Sequence, residues 1–163
     1  MSEMSSGDAC SQMVRRSHGL LARLPLLFTA SGDPDQAGAL ALRHLKNELH
    51  AAAATLFLLD ATHKHLRLWA VEESSLTTAV IPAERGIVGW VVERQESAMV
   101  SDAALDPRFF REVDQTSGFR TRSVLCGPLS GAGRERIGAI QVPNREGGDF
   151  TNEDLELVEC LAP

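Results

Sequence analysis

Few residues in this chain have both the type and the spacing that bond-making chemistry requires. The three cysteines, Cys10, Cys126 and Cys160, are an odd set without Cys-x-x-Cys spacing, which suggests neither a disulfide framework nor a structural zinc site. Cys126 falls in the middle of a strand pattern, and nothing basic beside it in sequence would lower its pKa, so it reads as a small buried hydrophobe. His63 and His65 flank a hairpin tip at a spacing that could hold a metal, but no further ligand accompanies them and no metal is expected. Gly131-x-Gly133 is a hairpin turn and not a phosphate loop.

Binding chemistry is better represented. A helix starting at Gly86-Ile87-Val88 could set free backbone N–H groups against an anion, while its glycines, Gly86 and Gly89, equally allow close helix-to-sheet packing. Ser101, Asp102 and Ser123 stand at strand ends, where an inward polar side chain must find a partner; for Asp102 the competing role is a turn cap. Phe109, Phe110, Val113 and Phe119 could line a pocket or simply be core, and Phe57 and Trp69 could line it or plug it.

The elements that would position these residues are legible from periodicity. Residues 1–12 form a loose N-terminal segment, and 13–163 is one domain. Leu20, Leu21, Leu24, Leu27 and Phe28 make a helical stripe that Pro25 divides. Asp33 at N-cap, Pro34 at N1 and Gln36 at N3 open a second helix, with Gly38, Leu42, Leu45 and Leu49 on one face, ending near Ala53.

Strands are expected at Thr55–Leu59, Leu66–Val71 and Thr77–Ile81, then a helix from Gly86 to about Arg94 and a strand at Ala98–Ser101. Asp106-Pro107 should open a helix carrying Phe109, Phe110 and Val113 and ending at Ser117-Gly118. Strands Thr121–Leu129 and Arg136–Val142 flank the glycine turn. Thr151 and Asp154 resemble a capping box, with Phe150 stapled on Leu155. That helix has made only about three turns at Pro163, so an excised fragment with a following effector domain is expected.

Composition narrows the classes. A formal charge of -6 with scattered basic residues argues against a nucleic-acid surface. The apolar run Leu24–Ala30 is far short of the roughly 20 residues of a membrane span, and no signal-peptide layout precedes it. The plain reading is a cytoplasmic protein.

The element order resembles the GAF family, and several strings carry the resemblance. They are Arg85-Gly86-Ile87-Val88-Gly89-Trp90-Val91, Met99-Val100-Ser101-Asp102, Asp106-Pro107-Arg108-Phe109, Arg122 to Leu129, Ile137 to Asn144, and Asp149-Phe150-Thr151 to Leu155. The resemblance implies an α/β (α+β) fold with a central antiparallel sheet of about six strands. Terminal helices would cover one face and a ligand pocket, roofed by the two middle helices, would occupy the other.

In the family's cyclic-nucleotide branch an Asn-Lys, Phe, Asp-Glu motif supplies a structural ion pair. Here Asn144-Arg145, Phe150 and Asp154-Leu155 stand in its place, so Arg145 and Asp154 can pair, and the motif supports the fold more than a nucleotide. Neither the Cys-His pair nor the Asp-x-Pro motif of phytochrome-like relatives is visible.

The resemblance implies a regulatory sensor without catalysis. It would bind a small molecule, a cyclic nucleotide or a small metabolite, and relay occupancy to an effector such as a transcription activator. Homodimer contacts are expected along Leu20–Phe28 and Leu155–Leu161. One alternative is a ligandless interaction module with a filled core. A remote alternative is an enzyme like the GAF-like free methionine sulfoxide reductases, which need several cysteines converging on the pocket.

Overall fold

A computed structural model describes residues 33–71, 80–131 and 133–161. Asp33 caps the first helix, α1 (Pro34–Glu48), accepting from the backbone N–H groups of Asp35 at 3.0 Å and Gln36 at 3.5 Å. Leu42, Leu45 and Leu49 are buried on one side of it. The helix stops earlier than the alanine run suggests. His50 adopts a left-handed φ of 48°, Ala51 bridges Arg145, and Ala52 N–H donates to the Asn144 carbonyl. Tertiary contacts on the backbone thus outweigh the helix propensity of alanine. The expected helix at 13–28 lies outside the described residues.

Strands β1 (Thr55–Leu59) and β2 (His65–Val71) form the expected hairpin. Its loop is organised by Asp60, whose carboxylate accepts from Thr62 Oγ1, the N–H groups of Lys64 and His65, and His65 Nδ1. Strand β3 (Val80–Pro82) continues the meander. Pro82 is its last residue, tolerated because β3 is an edge strand, with no partner beyond it among the described residues. The remainder of the expected Thr77–Ile81 strand falls outside the described residues.

Helix α2 (Gly86–Arg94) follows, burying Ile87, Val88, Val91 and Val92. Its helical period therefore prevails over its β-branched content. After β4 (Ala98–Val100) comes a 3-10 turn (Ala103–Leu105) and then α3 (Arg111–Ser117). Here the structure departs from the expectation that Asp106 caps a helix. Asp106 instead holds a turn, accepting from Arg108 N–H at 2.9 Å, and α3 begins five residues later with Phe110 at its N-cap. The end is as expected, with Gly118 left-handed at φ 74°.

Strands β5 (Val124–Ser130) and β6 (Arg136–Pro143) make the second hairpin, and α4 (Asn152–Leu161) closes the described chain. Its capping box is reciprocal: Thr151 N–H donates to Asp154 Oδ2 at 2.8 Å, and Asp154 N–H to Thr151 Oγ1 at 3.3 Å. Phe150 and Leu155 share one apolar cluster, as a staple requires.

The six strands form a single sheet in the order β3-β2-β1-β6-β5-β4, antiparallel at every pairing. Alternation along the strands divides the core into two layers. Leu56, Leu125, Ile140 and Val142 face α1 and α4, whereas Phe57, Val124, Cys126 and Ala139 face α2. Among the described residues, the chain-end helices thus share one face and the middle helices hold the other.

Candidate ligand pocket

Between the sheet and the roof formed by α2, α3 and the turn before α3 lies a hollow of about 650 Å³, counting its share open to solvent.

Eight sequence candidates line it: Phe57 from β1, Gly86, Ile87 and Val88 from α2, Phe109 and Phe110 from the turn, Val113 from α3, and Phe119. Gly86 has to be glycine. Its φ is 77°, and a Cβ there would sit 3.2 Å from Phe110 Cβ. Gly89 is tighter still, since its Cβ would lie 2.6 Å from the Ala83 carbonyl oxygen. Close packing is thus the role of these glycines, but against flanking loops and not against the sheet.

Four candidates lie elsewhere. Trp69 packs in the opposite layer, with Leu56 and Ile140, because strand alternation that turns Leu66 and Leu68 toward α2 turns Trp69 away. Ser101 is exposed and outside the lining, and Asp102 caps the 3-10 turn by accepting from Ala104 N–H at 3.0 Å. Ser123 is buried, but its hydroxyl accepts from Arg145 N–H at 3.3 Å, in the joint between β5 and the segment after β6.

The polar part of the lining was missed in the sequence. Thr55 and Gln141 are paired in register on β1 and β6, with Thr55 Oγ1 donating to the Gln141 carbonyl at 3.1 Å. Asp114 of α3 accepts from Thr121 N–H at 2.6 Å and Thr121 Oγ1 at 2.7 Å. A period-two count would have found Thr55, which alternates inward with Phe57, and Gln141, which alternates with Ala139 and Pro143. Nothing local marks Asp114 or Thr121, which meet across a turn. Leu68, Ile81, Val124 and Pro143 complete the apolar wall.

Electrostatically the hollow is lopsided. Asp114 is the single charged side chain in its described lining, and no Lys, Arg or His accompanies it. The opposite pole is the first turn of α2, where Arg85 stands at N-cap without a capping side-chain bond. Gly86, Ile87 and Val88 bring that turn, whose N–H groups have no helical acceptor, to the lining.

The roof is pinned from outside. Arg108 forms a two-point pair with Asp106, Nε to Oδ1 at 2.9 Å and Nη2 to Oδ2 at 2.7 Å, and lies 4.4 Å from the Trp90 ring centroid. The Arg108 hydrogen bonds hold the Asp106 carboxyl below the usual carboxylate range.

Neither described cysteine lines this hollow. Cys126 is fully buried and free, and burial pushes its thiol well above the usual range. Cys160, in α4 on the far side of the sheet, is disulfide-bonded, which departs from the bridge-free expectation drawn from the odd cysteine count. His65 pairs with Asp60 across 3.0 Å, and among the described residues no His, Cys, Asp and Glu converge as a metal site.

The chain belongs to the GAF domain family, whose sequence model matches residues 33–163. Over 85 residues it is 35% identical to a dual 3',5'-cyclic-AMP and -GMP phosphodiesterase 11A of Takifugu rubripes, a match covering 51% of this chain and 9% of that protein. The GAF domain of a phosphoenolpyruvate-protein phosphotransferase from Coxiella burnetii superposes with a TM-score of 0.78 at 24% identity, over 94% of this chain and 89% of that one. A free methionine-R-sulfoxide reductase from Neisseria meningitidis, solved with its substrate, superposes with a TM-score of 0.74 at 20% identity, over 90% and 83%. These structural likenesses establish the fold. The Arg145–Asp154 pairing read from the motif is present, Nε to Oδ2 at 3.0 Å. No helix of the described residues is long and apolar enough to cross a membrane.

Proposed function

We propose that the chain is a non-catalytic sensor domain whose hollow takes a small metabolite bearing a hydrogen-bond donor, in preference to a cyclic nucleotide. The observation that carries this reading is the described lining: apolar walls, one carboxylate and no basic side chain. Within the described lining a phosphate would find only the weak positive pole of α2 and would be repelled by Asp114. An amine or hydroxyl finds an acceptor in Asp114, and a compact apolar body fills the space between Phe57, Leu68 and Ile81. The similarity to a cyclic-nucleotide phosphodiesterase speaks for the nucleotide, but a described lining with a carboxylate and without a basic side chain speaks against its phosphate. A reductase role is disfavoured because, among the described residues, only Cys126 lies on the pocket face of the sheet, and it is buried.

In the same reading the domain sits before an effector such as a transcription activator. It pairs as a homodimer through its chain-end helices and reports occupancy through α4. A thermal-shift panel of amino acids, small amines, 2-oxo acids, cAMP and cGMP tests it. A ligand at about 100 times its Kd adds about 2.7 kcal/mol, or roughly 5–10 °C for a chain of this size. The expected hit bears an amine or hydroxyl and loses its effect in Asp114→Asn. A shift with cAMP or cGMP alone overturns the ligand class. A panel without any shift favours the ligandless interaction module.

A further inference from the structure

The pocket carboxylate stands at one end of a continuous run of polar contacts that ends at the cap of α4. Both Asp114 oxygens are engaged by Thr121, and the residues on either side of Thr121 are held by one buried side chain. Asn144 Oδ1 accepts from Arg122 N–H at 2.6 Å and Ser123 N–H at 3.2 Å, while its Nδ2 donates to the Arg120 carbonyl at 2.7 Å. Arg145 N–H then donates to Ser123 Oγ, and Arg145 Nε lies 3.0 Å from Asp154 Oδ2. That oxygen is the one that accepts from Thr151 N–H and closes the capping box of α4.

Three features leave this run room to shift. Residues 118–123 lie between α3 and β5, outside the sheet ladder, and are held by Asp114, by Asn144 and by Ala103 N–H, which donates to the Arg122 carbonyl at 2.6 Å. Helix α3 itself buries no residue, which makes it the most easily displaced part of the roof. At the far end, Arg145 Nε is buried at ion-pair distance but without the alignment of a hydrogen bond, a contact that a small shift would tighten or break.

We propose that Asp114 is the point at which the pocket is read. A ligand donor that takes its carboxylate releases Thr121, and the freed 120–123 segment shifts Asn144 and Arg145 and so loosens the Asp154 cap of α4. The trigger rests on the reading of the hollow as a ligand site; the coupling is a property of the ligand-free chain and is tested without ligand.

Amide exchange by NMR measures it. Asp114→Ala and Thr121→Val are each expected to speed exchange roughly fivefold at Thr151, Asp154 and Leu155, the factor for about 1 kcal/mol. The β1–β2 hairpin should be unaffected. In an Arg145→Ala background the Asp114→Ala effect should vanish. Unchanged α4 exchange in a folded Thr121→Val variant overturns the relay, as does an undiminished effect without Arg145. Thr121→Val exchanges a hydroxyl for a methyl group at nearly constant volume and decides the matter if Asp114→Ala does not fold. A silent metabolite panel with intact exchange coupling would sink the ligand reading alone; a hit without coupling would sink the relay alone.

Discussion

Replacing Asn144 by alanine removes three hydrogen bonds and leaves a strained backbone, so the cost can be assembled from the geometry. Ser123 N–H is buried and would be left without its acceptor, at about 1–3 kcal/mol. Arg122 N–H and the Arg120 carbonyl are only partly buried, so water recovers most of their loss, and about 0.5 kcal/mol each remains. Asn144 has a φ of 58°, where alanine adds about 1 kcal/mol or more. The expected total is about 3–5 kcal/mol. Asn144→Gly should recover roughly 0.5–1 kcal/mol of it, because glycine escapes the φ penalty but gains entropy when unfolded. Asn144→Asp keeps the acceptor, loses the Arg120 contact and buries a charge. Urea denaturation followed by circular dichroism, with an unchanged m-value, measures all three. A cost for Asn144→Ala below about 1 kcal/mol would refute the reasoning, since the segment before β5 would then be held by something other than Asn144.

Gly89→Ala should destabilise by about 1–3 kcal/mol despite the better helix propensity of alanine, because its Cβ would lie 2.6 Å from a backbone oxygen; a neutral result in urea melts would show that the 83–84 turn yields freely. The depressed Asp106 carboxyl stabilises the fold at neutral pH and stops doing so as pH falls below about 4 toward its folded value, so Asp106→Asn should flatten the acid-side fall of Tm; parallel Tm-versus-pH curves for the two proteins would contradict this. Cys126 should resist thiol reagents until urea unfolds the chain, as mapped by mass spectrometry on the Cys126 peptide, and modification at native rates typical of a free thiol would show that the layer under α2 opens.

Local rules placed most elements. The Asp33 cap, the Gly118 stop, the Thr151–Asp154 box and the helical period of α2 all rest on neighbours within four residues, which the sequence displays directly. Two boundaries failed for a common reason. The alanines after Glu48 and the residues 121–123 before β5 are held by Asn144, far along the chain, so their local propensities do not decide their conformation. Asp106 misled because Asx turns and helix caps use the same residue in the same way.

By itself the sequence determined most of the elements, since caps, turns and hydrophobic periods act over a few residues, and through its motifs the family, whose resemblance implied the antiparallel sheet of about six strands. Only the tertiary structure decided the chemical character of the hollow. Asp114 meets Thr121 across a turn, Thr55 meets Gln141 across strands 86 residues apart, and Trp69 faces the other layer. Which polar side chains share a cavity depends on strand pairing and side-chain direction, and those are fixed only when distant segments pack together.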